Sequence, residues 1–182
     1  MIVNHAPIEL QRDCQATMIP SGEKITLQCG DRVRITQALG GSYTVTTSSG
    51  HLVRIAASDA DAIGIDQVPV NDSLSVSGPF HLDQVIDQLK LVFDPEIPVN
   101  VVDLGLVYTC EAHQLPDGGH RVEIQMSMTA PGCGMGDVLR LDAINNVQTV
   151  PGVTEVAVEI VWEPPWDPSR MSEAARLQLG MY

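Results

Sequence analysis

"RVEIQMSMTAPGCGMGD" occupies residues 121–137, and its reading decides the fold. Up to Thr129 the apolar residues alternate: Val122, Ile124, Met126 and Met128 face one way, Arg121, Glu123, Gln125 and Ser127 the other. A period of two marks a half-buried strand. Pro131 and glycines 132, 134 and 136 interrupt it around Cys133. Beyond them Met135, Val138, Leu141, Ile144 and Val147 recur at helical spacing. The segment therefore reads as strand, glycine loop, helix.

The flanking sequence extends this reading. "LGLVYTC" (104–110) is a second strand pattern, and the "PDGG" turn at 116–119 joins the two as an antiparallel hairpin. "LDQVIDQLKLVF" (82–93) places Leu82, Val85, Ile86, Leu89 and Phe93 on one helical face. Asp94-Pro95 should end that helix, because proline disfavours helix at the residue before it. After Pro151-Gly152, "VTEVAVEIVW" alternates again, with Val156, Val158, Ile160 and Trp162 on one side. The order is helix, strand, strand, helix, strand, which predicts an α+β domain with helices on one sheet face. The strands flanking the glycine loop and its helix read as antiparallel.

Residues 1–65 follow a different rhythm. "RVRI", "YTVT" and "HLVRI" are short alternating runs punctuated by "CGD", "LGG" and "SSG". Turns near every ten residues predict a small β-barrel or open roll. Residues 66–79, with two prolines and no sustained period, read as a linker to an α+β domain over 80–182. The tail "WEPPWDPSRMSEAARLQLG" (162–180) holds both tryptophans and a short helix pattern, with Ser172 as N-cap and Gly180 just past its end. So short a helix must dock to persist, and its own domain is the expected surface.

Composition narrows the functional classes. At 44 % hydrophobic the 182-residue chain can bury a core. Its net charge is −13, and 10 of those units fall in residues 76–182. Nucleic-acid backbones and anionic membranes are poor partners for such a surface. No apolar run approaches the roughly 20 residues of a membrane helix, and the start lacks a signal-peptide pattern. The four cysteines (Cys14, Cys29, Cys110, Cys133) are widely spaced without a CxxC pair, which fits free thiols in a reducing cytoplasm.

Among these thiols Cys133 stands out. It follows a strand and precedes a helix start, where partial positive charge favours thiolate, the nucleophilic and metal-binding form. Gly132 and Gly134 leave room for a bulky ligand beside it. A dinucleotide loop fits poorly, since Asp137 stands where the third glycine would be and would repel a pyrophosphate. G-x-x-x-x-G-K-[ST] occurs nowhere. A thiol hydrolase would need His113 or His120 as base, yet both read as solvated residues near the hairpin turn, and His81 is equally plain. Asp94, Glu96 and Asp103 crowd the short loop "DPEIPVNVVDLG". They can cap backbone groups or offer oxygen ligands to iron beside a soft thiolate, with the Thr129 hydroxyl aimed at the same spot.

Taken together, "DPEIPV" (94–99), "DLGLVY" (103–108), "MTAPGCGMGD" (128–137), "PGV" (151–153), "WEPPW" (162–166) and "MSEAARLQLG" (171–180) resemble the metal–sulfur cluster biosynthesis (iron–sulfur assembly) family. The resemblance covers about the last hundred residues and implies an iron–sulfur assembly-type α+β fold. It implies a non-enzymatic accessory role in maturing iron–sulfur proteins. Its motif cysteine falls on Cys133, its acidic positions on Asp94 and Asp103, and its threonine on Thr129. The implied partners are the assembly machinery and client apo-proteins; if the chain is an adaptor, the acidic second module and the tail with Trp162 and Trp166 would dock them. One chain offers no four-thiolate cage. Any bound iron or cluster should be labile, and a cluster would need a second copy, a small thiol or carboxylates. The alternatives are a metal-free adaptor and a cysteine-dependent enzyme.

Overall fold

The computed structural model describes residues 6–65, 79–130 and 134–181. The chain divides into two compact units, Met1–Leu74 and Ser75–Tyr182. The expected linker lies almost wholly outside the described residues, as do Gly132 and Cys133. Among the described residues no helix is long and apolar enough to cross a membrane.

The first unit is one antiparallel sheet. Its strands are β1 (Ile8–Glu9), β2 (Cys14–Met18), β3 (Lys24–Leu27), β4 (Arg32–Leu39), β5 (Ser42–Thr47) and β6 (Leu52–Ile55). They lie in the order β1-β4-β5-β6-β2-β3. The alternating runs do what their period demands: Val33, Ile35, Val45, Val53 and Ile55 all face the core. "LGG" makes a two-residue hairpin between Leu39 and Ser42. Gly40 and Gly41 take φ of 59° and 73°, the left-handed pair whose twist matches the flanking strands. A 3₁₀ segment (Ala57–Ile63) closes the unit and buries Ala60, Ala62 and Ile63.

The second unit has the expected order: α1 (Leu82–Leu89), β7 (Val107–Gln114), β8 (His120–Met126), α2 (Gly136–Val147), β9 (Val153–Ile160), then a tail with α3 (Glu173–Gln178). Its sheet runs β7-β8-β9. The core joins Val122, Ile124, Met126 and Met128 to Val85 and Leu89 of α1 and Leu139, Ala143 and Val147 of α2, all at most 3 % exposed.

Three expectations need correction. The strands flanking the glycine loop and α2 are parallel, not antiparallel: β8 pairs with β9 in parallel from His120↔Val153 to Met126↔Ile160. Alternation encodes which face a residue takes but not strand direction, and α2 supplies the crossover that parallel strands require. The buried stripe of α2 runs through Met135, Leu139, Ala143 and Val147, while Leu141 is 51 % exposed. Finally, α1 stops at Leu89 rather than at Asp94. Val92 accepts from the Val101 N–H at 2.9 Å, and Phe93 bridges Asn100. β-branched and aromatic residues suit extended backbone, and this small ribbon wins over helix extension.

The tail docks on its own domain. The Trp166 indole N–H donates to the Leu104 carbonyl at 2.8 Å. Tyr108 Oη donates to the Pro164 carbonyl at 2.9 Å, and the Gln178 amide to the Pro98 carbonyl at 2.8 Å. Ser172 caps α3 by accepting from the Ala175 N–H at 3.1 Å, while its own N–H reaches the Asp103 carbonyl at 2.8 Å. Met171 and Ala175 are buried. Gly105, at φ 69°, lies directly under the Arg170 backbone, with no room for a Cβ.

Gly105→Ala should therefore destabilise the second unit by about 2–4 kcal/mol, combining a left-handed backbone with a collision. Gly118→Ala, at φ 90° but in open space, should cost only about 1–2 kcal/mol. Urea midpoints of the two variants check the difference.

Candidate functional site

Strand register gathers the candidate residues at one end of the three-stranded sheet. Val107 opens β7 opposite Met126, which closes β8. Met126 is level with Ile160, which closes β9. The chain just before β7, just after β8 and just after β9 thus meets at one edge. Backbone bonds continue the arrangement past the strands: Ser127 N–H donates to the Leu106 carbonyl at 2.8 Å, and Val161 N–H to the Met126 carbonyl at 2.9 Å.

The segment before β7 is built by two side chains. Asp94, 5 % exposed, sits at the tip of the 92–101 ribbon. Its Oδ1 accepts from the N–H groups of Glu96 at 2.8 Å and Ile97 at 2.9 Å. Burial pushes its pKa up, and the two backbone donors only partly offset that. Asn100 does the same work for the next turn. Its Oδ1 accepts from the N–H groups of Val102 at 3.1 Å and Asp103 at 2.9 Å. Its amide donates to Asp103 Oδ2 at 2.6 Å. Asn100 is the site residue that the sequence reading missed. Its signal is present in "NVVD" (100–103), an Asx cap followed three residues later by a carboxylate.

Asp94 and Asp103 therefore shape loops, while Glu96 is exposed and gives only its N–H to that frame. After β8, Ser127 is 1 % exposed, and its hydroxyl has no hydrogen-bond partner among the described residues. Thr129 is half-buried and Gly134 exposed. Met135, at the N-cap of α2, is buried. After β9, Trp162 is 44 % exposed, whereas Trp166 is half-buried and bonded to Leu104. Among the described residues no group of three or more His, Cys, Asp or Glu could hold a metal ion.

The other thiols and the histidines lie elsewhere in use. Burial pushes the Cys14 thiol up, and that of Cys110 up to about 11. Both are poor thiolates at neutral pH. Cys29 is exposed and donates to the Gln11 carbonyl at 3.4 Å. His113 lies within β7 near Glu111 and Glu123. His120 is not the solvated turn residue expected: it opens β8 and stacks on Phe80 with ring centroids 4.1 Å apart.

The buried Asp94 generates a prediction with a definite sign. Its folded-state pKa lies above the unfolded value, so the folded protein binds this proton more tightly. The stability it contributes is full below the unfolded pKa and is lost as pH rises through the folded pKa. Asp94→Asn keeps an acceptor for Glu96 and Ile97 and should flatten that part of the pH profile. Asp94→Ala, which removes the acceptor, should cost about 1–2 kcal/mol. Urea midpoints of wild type and both variants between about pH 4 and about pH 7, the range above the ordinary carboxylate pKa, check the sign.

Comparison with known proteins agrees with this architecture. Residues 82–160 match the family described as iron–sulfur cluster assembly protein. Over 98 residues the chain is 41 % identical to the Fe-S protein maturation auxiliary factor of Porphyromonas gingivalis, covering 54 % of this chain and 90 % of that protein. It is 35 % identical over 92 residues to the Fe-S protein maturation auxiliary factor SufT of Staphylococcus aureus, covering 50 % of this chain and 99 % of that one. The crystal structure of a domain of unknown function, DUF59, from Bacillus anthracis superposes with a TM-score of 0.51 at 37 % identity, over 56 % of this chain and 92 % of that one. With matching motifs, a matching fold and relatives covered almost end to end, the chain belongs to the iron–sulfur cluster assembly protein family.

Proposed function

We propose that this chain is an accessory factor in iron–sulfur protein maturation, and that Cys133 transiently binds iron, a cluster or a client. The observation that carries the reading is the register that sets the start of β7 level with the ends of β8 and β9, which brings the 94–106 segment, the stretch from Ser127 to Ala130 and the start of the tail to one end of the sheet. The names of the relatives support the accessory role and its setting, the assembly machinery and its client apo-proteins. Nothing in the family's description calls for catalysis.

The chemistry follows from position in the chain. Cys133 stands two residues before the N-cap of α2, a twelve-residue helix whose first turn favours negative charge. In a reducing cytoplasm such a thiol stays free, and thiolate is the form that takes iron or attacks a partner's sulfur. Iron or a cluster is cargo here. Asp94 Oδ1 and the Asp103 carboxylate are engaged in holding their own loops. The remaining ligands then come from outside: a client, a small thiol, or Cys133 of a second copy in a homodimer. Cargo held so sparsely leaves easily, as transfer requires.

The engaged carboxylates also favour a second reading, a metal-free adaptor. In it the exposed Trp162 contributes to docking, while Trp166 holds the tail in place. One experiment separates the two. An iron–sulfur enzyme such as aconitase is assayed in cells lacking the protein and complemented with wild type or Cys133→Ala at matched abundance. Rescue by wild type alone is expected. Equal rescue by both would leave the adaptor role. A deletion with full aconitase activity would count against an assembly role for this client.

A further inference from the structure

The sheet of the second unit has two edges, β7 and β9, with β8 between them. They differ in access. Val158 of β9 is only 7 % exposed, whereas every residue of β7 is at least partly exposed. Edge strands are commonly protected by lysine, proline or a bulge. No lysine or proline stands between Val107 and Gln114. The bulge of β7 lies at its start, between Val107 and Thr109, and leaves the rest of the edge regular.

Strand geometry decides which backbone groups are on offer. The Leu115 N–H donates to the Gly119 carbonyl at 2.7 Å, so Leu115 faces β8. Successive residues of a strand direct their N–H and C=O groups to opposite sides. His113, Glu111 and Thr109 therefore bond toward β8, their partners being Arg121, Glu123 and Gln125. Gln114, Ala112 and Cys110 point away from the sheet, and no other described segment bonds to their backbone groups. Such an edge can receive another strand.

The side chains decide which strand fits. Glu111 and His113 stand on one face of the sheet, 66 % and 55 % exposed. Across the ladder Glu111 is level with a second carboxylate, Glu123, and like charges so placed repel. Arg121 answers Glu123 at 2.9 Å. Glu111 has His113 of its own strand at 3.7 Å, and His113 has Glu123 at 3.9 Å, both beyond hydrogen-bond reach.

From this open edge and its charges we infer that β7 pairs antiparallel with β7 of a second copy of the chain, about a two-fold axis at Ala112. In that register Cys110 exchanges backbone bonds with the partner's Gln114, and Ala112 with the partner's Ala112. Glu111 then faces the partner's His113, and His113 faces the partner's Glu111. Both are non-hydrogen-bonded positions, where facing side chains come closest. An imidazole N–H can donate to a carboxylate whether or not the ring is charged. An axis at Cys110 would set Glu111 against the partner's Thr109, and one at Gln114 would set His113 against the partner's Leu115. Only the axis at Ala112 matches opposite chemistry, and it does so twice, as a self-complementary two-fold contact must. The β7 strands run in opposite directions, so this dimer does not bring the two 94–106 segments together. The inference stands independently of the Cys133 reading. Pairing over Cys110–Gln114 buries little surface, which places the dimer among weak, reversible contacts.

Sedimentation velocity of the full-length protein between about 5 and about 500 µM should show a monomer–dimer equilibrium. Glu111→Lys sets a lysine against His113, and His113→Glu sets a glutamate against Glu111. Each variant alone should dimerise at least ~10-fold more weakly than wild type. Mixed in equal amounts the two should associate again, because the mixed dimer faces lysine with glutamate and histidine with glutamate. Ala112→Pro removes the outward N–H on the axis, a change an edge strand accommodates, and should abolish the dimer. Circular dichroism melts confirm that each variant is folded, and Ala112→Pro carries the test if a charge variant is not. A chain that stays monomeric across the range would overturn the proposal. So would a dimer that survives in folded Ala112→Pro, or single charge variants that dimerise as well as their mixture.

Discussion

The parallel pairing of His120–Met126 with Val153–Ile160 is the constraint on which the second unit depends. Parallel neighbours need a crossover, so α2 must leave from the end where β8 finishes and return to the end where β9 begins. The chain that follows β8, from Ser127 to Ala130, thereby leaves the central strand at the end from which α2 departs. The antiparallel β7 starts at that same end, and β9 finishes there. Three sequence-distant segments meet because three hydrogen-bonded strands are in register, not because any side chain pulls them together.

Once gathered, those segments stiffen one another. Asp94 and Asn100 use side-chain oxygens to satisfy four backbone N–H groups between residues 96 and 103. The carbonyls of Pro98, Asp103 and Leu104 are then taken by the tail, through Gln178, Ser172 and Trp166. Arg170 lies 4.0 Å over the Tyr108 ring, adding a cation–π contact at the same seam. A helix of six residues, marginal in isolation, persists because its capping and its docking are supplied together.

The sequence was most legible where one period ran unbroken. Val122 to Met128 alternates over seven residues, and Val122, Ile124, Met126 and Met128 are all buried; on the other face only Ser127, just past the end of the strand, is buried as well. Ser172 and Gly180 were legible because capping chemistry is local. Strand direction was not, since β8 and β9 would alternate identically in either sense. The early end of α1 was hidden too, because Val92 and Phe93 fit both a helical stripe and the ribbon that captures them. Of the candidate site, the carboxylate positions were readable but their partners were not. Asp94 and Asp103 turn toward their own loop, a choice fixed by backbone geometry that residue types do not reveal. His120 read as a turn residue because its stacking partner, Phe80, is forty positions away.

The β7–β8 hairpin has a practical corollary. Its tip, Leu115 to Gly119, is at the opposite end of the strands from the gathered segments, since Gln114 pairs with His120 while Val107 pairs with Met126. Pro116, Asp117 and Gly118 are exposed there, and Gly118 has open space around it. A fluorophore or affinity handle grafted at this tip would stand about six strand residues, roughly 20 Å, from the gathered segments. A handle attached after Gly180 would instead sit beside α3, whose Gln178 holds the Pro98 carbonyl.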